Sequence, residues 1–171
     1  MSKFERITRR IRRVFQTNPM ELRIAVREDI PHLVRIRLKF LNEKWPDADP
    51  AKEEILAVAI ELYLRKHMSA GDLVFWLAVD KDRIVATGGI AFNYFPPDFD
   101  SVTEVRGQLL NLYALPDFRD EGLEQRILHK LLQEAEQRNV ECITLHGSEA
   151  NKDGNNSFLL KRKGKHGYIQ S

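Results

Sequence analysis

The apolar positions of this chain change period along its length, and those changes mark out its elements. Phe4, Ile7, Ile11, Val14 and Phe15 recur at helical spacing with arginines on the other face, and Asn18-Pro19 breaks the pattern. Leu22, Ile24 and Val26 then alternate, which predicts a first strand over 20–26. Asp29 has the chemistry of an N-cap and Pro31 suits a first turn, so Ile30, Leu33, Val34, Leu38 and Leu41 read as the stripe of a helix. Trp45-Pro46-Asp47 ends it. A second helix is expected over 50–67, striped by Leu56, Ala59, Ile60, Tyr63 and Leu64.

Strands over 73–80 and 83–94 flank Lys81-Asp82, a turn short enough for an antiparallel hairpin. Gly88-Gly89 within the second of them predicts a bulge or a close backbone approach. Pro96-Pro97-Asp98 opens a surface loop, and a long strand over 105–115 is closed by Pro116. The strongest helical pattern covers 121–138, with Leu123, Ile127, Leu128, Leu131 and Ala135 on one face. A short strand of the buried type follows at 140–146, then a polar loop from Asn151 to Asn156. A last helix over 157–163 and a short strand at Tyr168-Ile169 complete the series. A strand–helix–strand unit near the end of an antiparallel meander implies an α/β (α+β) fold: a mixed, mostly antiparallel sheet with helices on both faces. The expected organisation is a basic amphipathic helix over 1–19 and one domain over 20–171.

Charge sharpens that division. Residues 1–20 carry a net +5, which leaves −3 for the rest of a chain whose formal net charge is +2. The apolar stripe of the basic helix is expected to dock on the domain or on a second copy in a homodimer. An anionic surface is the alternative, and nucleic acid is not an expected partner. Cys142 is alone, so neither an intrachain disulfide nor a CxxC metal site can form, and no metal is expected. A reducing, cytoplasmic setting follows from that cysteine use. No apolar run approaches the roughly 18 residues of a membrane span.

The candidate chemistry lies where the 105–115 strand gives way to the strongest helix. Leu112-Tyr113-Ala114-Leu115-Pro116-Asp117-Phe118-Arg119-Asp120-Glu121-Gly122-Leu123 places a proline at the end of a strand and a glycine at the start of a helix. Unpaired N–H groups and the positive end of the dipole suit such a place to phosphate, and Gly122 would allow close backbone approach. Spacing alone does not separate this from an ordinary strand-to-helix turn.

The segment resembles the cofactor site of the GNAT (general control-related) N-acetyltransferases, which read apolar residues, Pro, an aromatic, then Arg/Gln-x-x-Gly-x-Gly/Ala. Leu22-Arg23-Ile24-Ala25 with Glu28 to Leu33 resembles the family's first strand and helix. Trp76 to Val79, Ile84 to Gly89 and Leu145-His146 resemble its later strands, in the same order. The resemblance implies an acetyl-coenzyme A-dependent N-acetyltransferase acting on a small-molecule amine or a peptide amino group. The backbone at Leu112, Tyr113 and Ala114 would pair with the pantetheine arm, and the amides of Arg119, Asp120, Glu121, Gly122, Leu123 and Glu124 would cradle the diphosphate. A neutral amine would attack the thioester, with the backbone near Leu112 polarising its carbonyl.

Some residues depart from the family pattern. Glu124 stands where the family has Gly or Ala, and Asp120 and Glu121 add further negative charge. Two unit charges a few ångströms apart cost roughly 1 to 4 kcal/mol, although acids also suit a helix N-terminus by themselves. The family's tyrosine after the fifth strand is replaced by Leu160 or Lys163, according to whether Gly164 or Gly167 matches the family glycine. The chain ends at Ser171, before a seventh strand would be complete. These departures support the alternative of a catalytically degenerate binding or regulatory module. Candidate catalytic residues are His146 as a base near neutral pH, Glu149 as acceptor of the amine proton and Asn111 as a substrate-orienting group. Each also has a structural reading: a packed histidine, a solvated loop acid, and an amide that satisfies backbone. The basic run Lys161, Arg162, Lys163 and Lys165 reads as a 3′-phosphate contact or a solvated face.

Overall fold

The computed structural model describes residues 20–99 and 101–145. The basic helix expected over 1–19, His146, Glu149 and everything expected after 150 lie outside them. The described strands are β1 (Glu21–Ile24), β2 (Leu73–Asp80), β3 (Arg83–Tyr94), β4 (Val105–Ala114) and β5 (Cys142–Leu145). They form one sheet in sequence order, antiparallel at every junction except the parallel β4–β5 pair. Helix α1 (Ile30–Lys44) and helix α2 (Pro50–Ala70) cover one face, and α3 (Leu123–Gln137) covers the other. This is the mixed, mostly antiparallel sheet between helices that the pattern predicts. No described helix is long and apolar enough to cross a membrane.

Local chemistry accounts for most element boundaries. Lys81 and Asp82 both take positive φ, 46° and 67°, which is the backbone of a tight two-residue hairpin turn. Asp49 accepts the Ala51 N–H at 3.0 Å to start α2, and Gly71 at φ 76° ends it. Asp29 holds the N-cap position of α1 as expected, but its side chain makes no cap hydrogen bond to that helix. Its carboxylate accepts the Val26 N–H at 2.8 Å and both Nη groups of Arg23, so it closes the short 3-10 turn Arg27–Asp29 that precedes α1. The predicted stripe of α2 is also only partly inside. Leu64 is buried, whereas Leu56 and Tyr63 are 39% and 44% exposed, because α2 packs chiefly on α1 and β2.

The two glycines of β3 separate two roles that the sequence left joined. A Cβ on Gly88 would lie 2.7 Å from Cγ2 of Ile127 on α3, and one on Gly89 would lie 2.7 Å from the Phe75 ring on the opposite face. They are therefore sites of close approach on each side of the sheet. The extra residue of the bulge sits across from them. Thr87 pairs with Tyr113 and Gly89 with Leu110, so β4 has two residues, Asn111 and Leu112, opposite Gly88 alone. Asn111 takes φ 51°, a left-handed conformation that asparagine tolerates better than most residues.

Candidate active site

The bulge sets the geometry of the end of β4. β4 pairs with β5 only from Arg106 to Leu109, and among the described residues no strand partners it beyond that point. On the other side, Leu115 N–H reaches Val85 at 2.9 Å and Tyr113 pairs with Thr87, so the polar groups of Ala114 face away from β3. Leu112 turns toward α3, where its Cδ1 would be 3.0 Å from a Cβ on Gly88. Asn111 and Tyr113 turn toward α1 instead. Among the described residues, the strand edge beyond Leu109 has no strand partner and lies between two differently lined faces.

β4 then enters a 3-10 turn, Pro116–Glu121, and Gly122 at φ 67° leads into α3. The helix begins at Leu123, two residues later than its pattern predicts, because the left-handed glycine interrupts the spiral. A Cβ on Gly122 would meet nothing closer than Gln125 Oε1 at 3.8 Å, so the space above the turn is open. Phe118 and Leu123 anchor the turn in the core, while Asp120 and Glu121 are exposed.

Side chains of this same turn reach both polar groups of Ala114. Glu124 Oε1 accepts its N–H at 3.2 Å, and Arg119 Nε donates to its carbonyl at 3.3 Å. Arg119 also donates to Glu43 at 2.7 Å, and the Tyr113 hydroxyl donates to the other oxygen of that carboxylate at 2.5 Å. The Tyr113 phenol and the Arg119 guanidinium together hold the Glu43 carboxyl below its ordinary range. Burial, reinforced by Glu43, pushes the Tyr113 phenol up. The end of α1 is tied in this way to the strand and to the turn.

The α1 face of the bulge has its own polar group. Arg37 Nη1 donates to Asn111 Oδ1, and its guanidinium lies 5.4 Å from the centre of the Phe40 ring. Among the described residues no carboxylate stands within ion-pair distance of it. Burial lowers its pKa, and Tyr63 on α2 opposes that shift. Tyr63 is itself held up by burial and by Asp72, and its ring packs 4.4 Å from that of His67, which bonds Asp72 at 3.0 Å.

Of the residues singled out from sequence, Asn111, Leu112, Tyr113, Ala114, Arg119, Gly122, Leu123 and Glu124 are therefore contiguous around the end of β4, with Asp120 and Glu121 at the rim. Arg37, Glu43 and Tyr63 were missed. Arg37 did carry a signal: it follows Leu33 and Val34 by four and three residues, so it interrupts the apolar face of α1. Tyr63 was read only as part of the apolar stripe of α2, and Glu43 lies near the end of α1, where no period singles it out.

Comparison with known proteins agrees with this arrangement. The sequence model of the Acetyltransferase (GNAT) family matches residues 32–160. A predicted acetyltransferase from Clostridium acetobutylicum, solved with acetyl-coenzyme A, is 32% identical over 79% of this chain and 83% of its own, with a TM-score of 0.67. A GCN5-related N-acetyltransferase from Ralstonia eutropha is 23% identical over 76% of this chain and 84% of its own, with a TM-score of 0.69. Glucosamine-6-phosphate N-acetyltransferase from Arabidopsis thaliana, at 15% identity over 77% and 84% and a TM-score of 0.57, shares the fold. No curated protein matches by sequence. A bulged fourth strand that runs through a proline turn into a glycine-led helix, with these matches over most of its length, places the chain in the GNAT family of acetyltransferases.

Proposed function

We infer that the protein transfers an acetyl group from acetyl-coenzyme A to an amine. The observation that carries this reading is the edge of β4 at Leu112 to Ala114, which has no strand partner among the described residues and leads through Gly122 at φ 67° into the N-terminus of α3. An open strand edge takes an extended amide-bearing chain as it would take another strand. The adjoining helix start takes anionic oxygens. Gly122 fits that role, since nothing crowds its missing side chain. Glu124 fits less well, because its carboxylate already holds the Ala114 N–H. The coenzyme supplies an activated thioester. The chain's own residues supply the rest: backbone near Leu112 to polarise the carbonyl, and Asn111 and the α1 face to orient the amine. His146 or Glu149 is assigned to take the amine proton.

A second reading has a specific observation in its favour. Both polar groups of Ala114 are occupied from within, by Glu124 and Arg119, as they would be in a fold that has closed its own cofactor edge and serves as a binding module. Calorimetry with acetyl-coenzyme A, followed by thiol release across an amine panel, separates the two. Saturable binding with turnover of at least one amine is expected. Binding without thiol release favours the module, and no detectable binding at millimolar ligand overturns the transferase reading.

A further inference from the structure

We propose that the amine acceptor carries an oxyanionic group, a carboxylate or a phosphate, that is received by Arg37. This rests on the transferase reading and names the substrate class of that same site. The case begins with position. Arg37 lies on the α1 face of β4 and hydrogen-bonds the side chain of Asn111, the bulge residue immediately before Leu112. A group on that guanidinium is therefore next to the point where the open strand edge begins, on the face away from α3.

The second argument is the lack of a counter-charge. Arg23, Arg65, Arg106 and Arg119 each face a carboxylate within 2.8 Å. Arg37 is half-buried, and among the described residues it has only a neutral amide and the face of an aromatic ring beside it. A guanidinium keeps its proton when buried, so its desolvation goes uncompensated in the free protein. An oxyanion is the ligand that compensates it. The fork has room for one: Nη1 is engaged by Asn111, and among the described residues neither Nη2 nor Nε has a hydrogen-bond partner.

The third argument is what surrounds the opening. From α2, Tyr63 is electrostatically coupled to the guanidinium, and its phenol, which burial keeps protonated, can donate to the same anion. From α1, Phe40 forms an apolar wall. From β4, Asn111 fixes the orientation of the guanidinium. Asp72, which acts on Tyr63, is engaged with His67. A cation held by an amide, with a phenol opposite and an aromatic wall, is built to receive a planar or tetrahedral oxyanion and to reject a second cation.

The test uses the full chain and matched amines that differ only in the anion: an amino acid against its carboxamide, and glucosamine 6-phosphate against glucosamine. With acetyl-coenzyme A saturating, kcat/KM of the anionic member is expected to exceed that of its neutral partner by at least about ten-fold in one pair. In Arg37→Gln the members of that pair are expected to be turned over alike, and in Arg37→Lys part of the preference remains. Equal turnover within both pairs in the wild-type protein, or a preference that survives Arg37→Gln, overturns the proposal. A second measurement does not depend on catalysis or on how a variant folds. Glutarate and inorganic phosphate are titrated into the wild-type protein by NMR, and saturable shifts are expected around α1 and the β4 bulge. If those shifts occur while no amine is acetylated, the transferase reading fails and the anion site stands. If amines are acetylated and neither anion binds, the anion site fails and the transferase reading stands.

Discussion

At the residue scale the decisive side chain is Glu124. Its sequence position marks it as a departure from the family pattern, and the structure supplies the physical content: the carboxylate reaches back to the Ala114 N–H at 3.2 Å. One negative charge therefore lies beside the helix start and across the strand edge at once. Glu124→Gln keeps an acceptor for that N–H and removes the charge. Relief of about 1 kcal/mol of repulsion between exposed charges corresponds to roughly five-fold tighter acetyl-coenzyme A, measurable by calorimetry. An unchanged or weaker affinity would mean that the carboxylate swings clear of the ligand. Asn111 offers a second test. Ala in a left-handed conformation costs roughly 1 to 2 kcal/mol, whereas Gly adopts it freely. Asn111→Ala is thus expected to lower the urea midpoint more than Asn111→Gly, although both lose the bond to Arg37. Equal losses from the two would assign the effect to the hydrogen bond alone. Neither feature was legible beforehand in full. Asparagine in a strand is compatible with many backbones, and only the pairing of Thr87 with Tyr113 and Gly89 with Leu110 locates the extra residue at 111–112.

At the element scale the sequence was most informative where one period persists and is punctuated. β2, β3 and their turn lie where alternation and Lys81-Asp82 put them, and β4 differs from expectation by a single residue at its end. The reading was weaker where an element buries little. α2 spans 21 residues, longer than its stripe implies, and leaves Ile55, Val58 and Leu62 exposed. Its helicity owes more to the Asp49 cap and the Gly71 stop than to a buried face. α3 approaches β3 closely at Gly88, and this makes a sharp prediction. At Gly88 an added methyl would be 2.7 Å from Ile127 Cγ2 and 3.2 Å from Leu131 Cδ1, both on side chains that are fully buried. Gly88→Ala is expected to destabilise the fold by about 1 to 3 kcal/mol through overpacking, read as a lower denaturation midpoint. Combined with Ile127→Ala the cost should be less than the sum of the two single changes, since the second makes room for the first. Additive costs would show that the helix shifts as a body instead.

At the scale of the whole molecule, α1 joins the two ends of the site, and a carboxylate fastens it at each end. Asp29 precedes the helix and takes both Nη groups of Arg23 on β1 at 2.7 and 2.8 Å; Glu43 near its end takes Tyr113 on β4 and Arg119 in the turn. Both carboxyls are held below their ordinary values in the folded chain, Asp29 chiefly by Arg23 and Glu43 chiefly by the Tyr113 phenol. Unfolded, they return to about 3.9 and 4.3. The unfolded chain therefore binds more protons over this range, so stability falls as pH falls. The contribution is complete above about pH 5 and is lost as pH drops through the folded values. Asp29 sits deeper than Glu43, whose exposed pair with Arg119 is screened by solvent, so Asp29 should carry more of the effect. Thermal midpoints from pH 3 to 7 are expected to fall on the acid side in the wild-type protein. In Asp29→Asn the midpoint at pH 7 should be lower and the acid slope shallower, and Glu43→Gln should show the same change more weakly. If both variants keep the full acid slope, carboxylates elsewhere govern it, and α1 is held by its apolar face of Ile30, Leu33, Val34 and Ile36 rather than by its ends.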